Sequence, residues 1–139
     1  MEDVLSAFPV EAVLDAGIPH ASSGYENFLD EIENRRIAYS VAKRGDTISI
    51  DRIRILILSP PAELTEETLN DNSVVLRISY GTTDILFTGD AGETTESPLL
   101  LTGYALDAEV LKVAHHGSSD ATSSPFLSRV NPAVAVISV

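Results

Sequence analysis

Two short segments of this 139-residue chain hold most of the side chains that could do chemistry. In Phe87-Thr88-Gly89-Asp90-Ala91-Gly92 an apolar run ends, a glycine lets the backbone turn, and an aspartate is presented at the end of the run. In Leu111-Lys112-Val113-Ala114-His115-His116-Gly117-Ser118-Ser119 a second apolar run ends in a polar loop with two adjacent histidines. Carboxylate and imidazole at the mouths of neighbouring strands suit a hard or borderline divalent metal. A metal held there can turn water into a nucleophile. Each piece alone has a blander reading. An aspartate after a glycine commonly closes a turn or caps a helix, and a histidine pair in a loop is commonly structural or solvated. The coincidence raises them above that: both segments end apolar strands, and two of the three histidines share one loop. The third, His20, lies in Gly17-Ile18-Pro19-His20-Ala21-Ser22-Ser23, a strand-end loop leading to a helix, where a place in the helix-capping network is its simpler role. Ser118 beside His116 does not make a triad; hydrogen bonding to a phosphate or a metal ligand suits it better.

The elements that must position these residues follow from periodicity. Strands are expected over residues 10–15, 37–41, 47–50, 53–58, 73–80, 84–88, 109–113 and 133–139. Residues 24–35 place Tyr25, Phe28, Leu29 and Ile32 on one face of an amphipathic helix. Residues 73–80 put Val75 and Arg77 on one side of a strand and Val74, Leu76 and Ile78 on the other. Gly81-Thr82-Thr83 turns this strand into the next as a hairpin. A helix is expected over 91–101, kinked at Pro98 or starting later. Ser123-Ser124-Pro125 starts a short helix that Pro132 ends. Ser59-Pro60-Pro61-Ala62 and the acidic run from Glu63 to Glu67 read as a surface loop within one domain. The order predicts an α/β fold with a mixed sheet. The strand–helix–strand crossover after residue 88 predicts Asp90 and His115 at the same edge of that sheet.

Composition narrows the function. The net charge is −12, from 21 acidic and 9 basic residues. Lys43 and Lys112 are the only lysines, and no segment forms a basic patch, which argues against tight sequence-independent nucleic-acid binding by this surface alone. A phosphodiester substrate stays open, because a divalent metal can supply the missing positive charge. There is no cysteine, hence no disulfide or thiolate zinc site, and the compartment stays open. No apolar run is long enough to span a membrane, and Met1-Glu2-Asp3 does not begin a signal peptide. P-loop, G-x-G-x-x-G and G-x-S-x-G motifs are all absent.

Three segments, NDNSVVLRISYG, DILFTGDAGETTESPLL and AEVLKVAHHGSSDATSSPFLSRVNPAVAVISV, together resemble the metallo-β-lactamase-fold hydrolases of the ComEC type, which include the soluble domain of the DNA-uptake channel protein. The upstream stretch around VLDAGIPH fits the same pattern with lower specificity. The resemblance implies part of a metallo-β-lactamase-like αβ/βα sandwich, with mixed sheets flanked by helices. It implies that Asp90 bridges two metal ions, Zn²⁺ or Mn²⁺, and that His115 is a late histidine ligand. His116 is then a supporting group or the alternative ligand, able to orient substrate or protonate the leaving group. His20 is the candidate for the fold's middle histidine. Ser118 and Ser119 would line the site; Asn72 and Ser73 would brace the loop near it or merely cap a strand. The implied substrate is a phosphodiester or another small hydrolysable molecule, with nucleic acid as the parent protein's partner. The family's H-x-H-x-D-H motif is not in this sequence. In the family it lies upstream of the position matching Met1. The chain therefore reads as a fragment that is inactive as it stands, with a metal site empty or weakly filled, and that leaves apolar sheet surface for self-association. The competing reading is a non-catalytic scaffold or interaction module that keeps the fold without the full metal site.

Overall fold

The computed structural model describes residues 2–61, 63, 64 and 68–138, in two units that each pack within themselves, Met1–Ala42 and Lys43–Val139. The first unit contains α1 (Glu2–Ala7), β1 (Ala12–Asp15), α2 (Ser23–Arg35) and β2 (Ala38–Val41). β1 and β2 run parallel, from Ala12 opposite Ala38 to Asp15 opposite Val41, with α2 as the crossover. α2 starts where the Ser22 hydroxyl accepts the Tyr25 N–H and ends at Arg36, whose φ of 55° is left-handed. Its apolar face buries Phe28 and Ile32 against Leu5 and Ile37. No periodicity announces α1, which is six residues long and sinks one side chain, Leu5, into that core. The Arg35 guanidinium donates to the Leu5 carbonyl and pins it. β1 is shorter than the expected strand over 10–15; Val10 packs on the core from outside the ladder.

The second unit is a six-stranded sheet in chain order: β3 (Thr47–Ile50), β4 (Ile53–Ser59), β5 (Val75–Tyr80), β6 (Thr83–Phe87), β7 (Val110–Lys112) and β8 (Val134–Val136). β3 to β6 form an antiparallel meander, while β6, β7 and β8 are parallel. α3 (Glu93–Leu101) and α4 (Ser124–Val130) make the two crossovers. The β5–β6 hairpin closes with Tyr80 opposite Thr83, so its turn is one residue tighter than Gly81-Thr82-Thr83. α3 begins later than residue 91 and continues through Pro98, whose ring removes a single ladder donor. α4 is capped by the Ser123 hydroxyl, which accepts the Phe126 N–H, and Pro125 sits in its first turn. β7 and β8 are both shorter than the apolar runs that predicted them. In the loop after β4, Ala62 and residues 65–67 lie outside the described residues.

Alternation along the strands sorts the side chains. Leu58, Val75, Leu86 and Leu111 meet Leu99, Leu106, Phe126 and Val130 in the core. Arg77 belongs to this buried face, as its alternation with Val75 predicts. Its guanidinium reaches Asp84 at 2.8 Å and donates through Nε to the Asp107 carbonyl at 3.0 Å. The opposite face carries an unbroken apolar row in register across all six strands: Ile48, Ile55, Ile78, Ile85, Val110 and Val134.

Candidate metal centre

Phe87 and Lys112 are level in the parallel β6–β7 ladder, so the loops leaving these strands emerge at one edge of the sheet. Gly89 turns the first loop at a φ of 55°, and a Cβ there would stand 3.1 Å from the Ser73 Cβ. A larger residue meets both a left-handed backbone and a filled space. The Asp90 N–H then donates to the Ser73 hydroxyl at 3.2 Å. The His115 N–H donates to the Gly89 carbonyl at 3.1 Å, and the Thr88 hydroxyl to the Lys112 carbonyl at 2.6 Å. These bonds tie the aspartate loop to the histidine loop. Asp90 and His115 line one cleft of ≈ 350 Å³, with Thr68, Asp71, Glu93 and Asp120 on its walls.

The two histidines sit on an unusual backbone. His115 (φ 44°) and His116 (φ 54°) are both left-handed, and Gly117 (φ 80°) follows them. For a residue with a Cβ this conformation costs roughly 1–2 kcal/mol, so the surrounding structure must hold it. The turn gives the two rings different partners. His115 Nδ1 is 3.8 Å from Asp120 Oδ1. His116 Nε2 is 3.9 Å from Asp90 Oδ1, and its Nδ1 is 2.8 Å from the Ser138 carbonyl. A carbonyl can only accept, so Nδ1 carries a proton, and Nε2 is the ring nitrogen turned toward Asp90. Metal-ligating histidines are held in this way.

The other expected residues fall as follows. The Ser118 hydroxyl donates to the Asp120 carboxylate and is the main reason that group titrates below the usual carboxylate range. Ser73 braces the Asp90 loop, and the Asn72 amide donates to the Thr68 carbonyl at 3.1 Å. His20 belongs to the first unit, its Nδ1 2.9 Å from the Ser22 hydroxyl that caps α2. Asp120 and two further carboxylates escaped the sequence reading. Asp71 is buried and accepts from the Thr68 and Thr94 hydroxyls; the Thr68 bond leads in holding it below its ordinary value. A threonine three residues before an aspartate was the available signal. Glu96, in α3, is buried with both oxygens on backbone N–H groups of the loop before α4.

Asp90 and His116 have the chemistry of metal donors and face each other, which fits two ligands of an ion. Among the described residues no group of three His, Asp or Glu side chains could hold one. Nor, among them, is any helix long and apolar enough to cross a membrane.

The family profile described as "Metallo-beta-lactamase superfamily" matches residues 5–139. ComE operon protein 3 of Bacillus subtilis (strain 168) is 32% identical over 113 residues, covering 81% of this chain and 14% of that protein. Recombination protein 2 of Haemophilus influenzae is 42% identical over 82 residues, covering 59% of this chain and 10% of that protein. Competence protein ComA of Neisseria gonorrhoeae is 38% identical over 79 residues, 56% of this chain and 11% of that protein. The chain thus spans about a seventh or less of the curated relatives it matches. With its mixed sheet, flanking helices and strand-end aspartate and histidines, the chain belongs to the metallo-β-lactamase superfamily, and its relatives are of the ComEC type.

Proposed function

We propose that this chain contributes part of the catalytic centre of a metal-dependent hydrolase acting on phosphodiesters, in a protein that serves DNA uptake. The observation that carries the reading is the His116 imidazole, fixed by the Ser138 carbonyl with its Nε2 toward Asp90. The names of the relatives, a competence protein and a recombination protein among them, support nucleic acid as the substrate class. A divalent cation, Zn²⁺ or Mn²⁺, would supply the positive charge this acidic surface lacks and the means to activate water. Asp90 would hold it through its carboxylate and His116 through Nε2, with further donors from beyond these two residues. His115, open to the cleft with Asp120 behind its Nδ1, is placed to hold a proton for a leaving group. Ser118 acts on Asp120 in this scheme, as a support of that proton site, and His20 keeps its capping role.

One observation favours a second reading, the non-catalytic module: among the described residues only two donors converge. Titration of the chain with Mn²⁺, followed by water-proton relaxation, separates the two. Binding that Asp90→Ala abolishes supports the hydrolase reading. Binding that is absent, or indifferent to Asp90→Ala, supports the module.

A further inference from the structure

α3 holds a carboxylate in a place where an isolated one is costly. The Glu96 residue is 1% exposed. Its Oε1 accepts the Thr122 N–H at 2.5 Å and its Oε2 accepts the Ser123 N–H at 2.9 Å. A buried carboxylate persists only when hydrogen-bonded, and both bonds go to one loop, the loop that leaves the histidines and enters α4. Thr122 is itself left-handed, with a φ of 54°. Its hydroxyl accepts the N–H of Ala114, the residue before His115, at 3.2 Å. One turn earlier on α3, the Glu93 N–H donates to the Asp120 carbonyl at 3.1 Å. A continuous set of bonds therefore runs from Glu96 through Thr122 to the start of the His115-His116 turn, whose backbone needs outside support.

We infer that Glu96 is the positioning residue of the histidine loop: by holding Thr122 and Ser123 it fixes the left-handed His115-His116 turn and so aims His116 Nε2 at Asp90. The purpose of that aim rests on the metal-site reading above; the positioning itself does not. Glu96→Gln keeps the volume but sets an amide N–H₂ against one of the two backbone donors. Glu96→Ala removes the partner of both half-buried donors.

The test uses the metal-free, ¹⁵N-labelled chain at one fixed pH and reads the imidazole ¹⁵N–¹H correlations. The wild type should show His116 as a single tautomer protonated at Nδ1. In Glu96→Gln and Glu96→Ala, the His115 and His116 signals should move toward a tautomer average, while those of His20 stay in place. Val75→Ala, a core change in β5, is the stability control: it should lower the melting temperature and leave all three histidines unmoved. Should Glu96→Ala fail to fold, Glu96→Gln carries the comparison. A second arm adds Mn²⁺ and reads broadening at His116; Glu96→Gln should need about 10–100-fold more ion, the usual loss when a ligand's support is removed. If wild-type His116 is untouched by Mn²⁺ while the Glu96 variants still shift its tautomer, the metal reading falls and the positioning role stands. Unchanged His115 and His116 signals in Glu96→Gln, or equal shifts in Val75→Ala, would overturn the role.

Discussion

Asp90 Oδ1 stands 3.9 Å from His116 Nε2, across the mouths of two parallel strands, and nothing in the backbone ladder requires it. β6 and β7 bring the two loops to one edge; the left-handed turn at His115 and His116 then decides which ring faces the aspartate. Asp90→Ala and His116→Ala should each remove Mn²⁺ or Zn²⁺ binding by the chain. His115→Ala should weaken it less, because that ring is paired with Asp120. All three side chains are partly exposed, so stability should change by no more than about 0.5 kcal/mol. Calorimetric metal titration beside urea unfolding checks both halves. A His115→Ala loss equal to that of His116→Ala would contradict this assignment.

The acid response should pass through Asp71. Hydrogen bonds, the Thr68 hydroxyl first, hold its carboxyl below the ordinary carboxylate value. A carboxyl with a lowered folded-state pKa stabilises the fold above its unfolded value, near ~3.9, and loses that contribution as pH falls through the folded value. Asp71→Ala should therefore cost about 1 kcal/mol near neutrality, the net worth of its hydrogen bonds to two threonine hydroxyls that water can otherwise reach. Its deficit against the wild type should shrink below about pH 4. Urea midpoints across the acid range measure it; a deficit constant with pH would show that Asp71 acts by packing alone.

The fold was far more legible in the sequence than the site. A run rich in β-branched and apolar residues such as Val74-Val75-Leu76-Arg77-Ile78 marks a strand, and a strand–helix–strand crossover fixes the parallel placement of β6 and β7. The common edge of Asp90 and His115 followed from those two facts. The facing of His116 and Asp90 did not follow, because it depends on positive φ at two residues with Cβ atoms and on the Ser138 carbonyl. Glu96 was hidden for a related reason. An acid in the first turn of a helix reads as a favourable dipole partner, and its burial is imposed by a loop two elements later in the chain. α1 has too few apolar positions to show a period.

The second face of the six-stranded sheet predicts behaviour in solution. Its apolar row runs from Ile48 to Val134, and Val134, at the edge, is 53% exposed. Contiguous apolar surface of this kind drives association, while a net charge of −12 opposes it. Added salt screens the repulsion and leaves the apolar attraction intact. Sedimentation velocity should show self-association that grows with ionic strength, and Val134→Glu should suppress it with little change in melting temperature. A monodisperse monomer at high salt that binds no anilinonaphthalene dye would refute this.

Arg77 offers the sharpest stability test, because it is a charge within the apolar core face. It is 8% exposed, with its side chain on Asp84 at 2.8 Å and on the Asp107 carbonyl at 3.0 Å. Asp84 in turn is held by Glu109, whose carboxylate accepts the Asp84 N–H at 2.7 Å. Removing one partner of a buried pair usually costs about 3–5 kcal/mol, because the other charge is stranded. Asp84 keeps some contact with solvent, its side chain 21% exposed, so Arg77→Met should fall toward the lower end of that range. The paired change Arg77→Met with Asp84→Leu removes both charges, and should recover most of the loss, since replacing a buried pair by apolar groups is often neutral. The Asp107 carbonyl then loses its donor, but it lies in a loop beside a side chain that is 67% exposed, where water can take the place of Nε. Urea unfolding of the wild type, both single variants and the double variant measures the coupling directly. If the double variant is no more stable than Arg77→Met, the Arg77 contribution comes from Asp107, the Ser79 hydroxyl and packing, and the ion pair with Asp84 adds nothing.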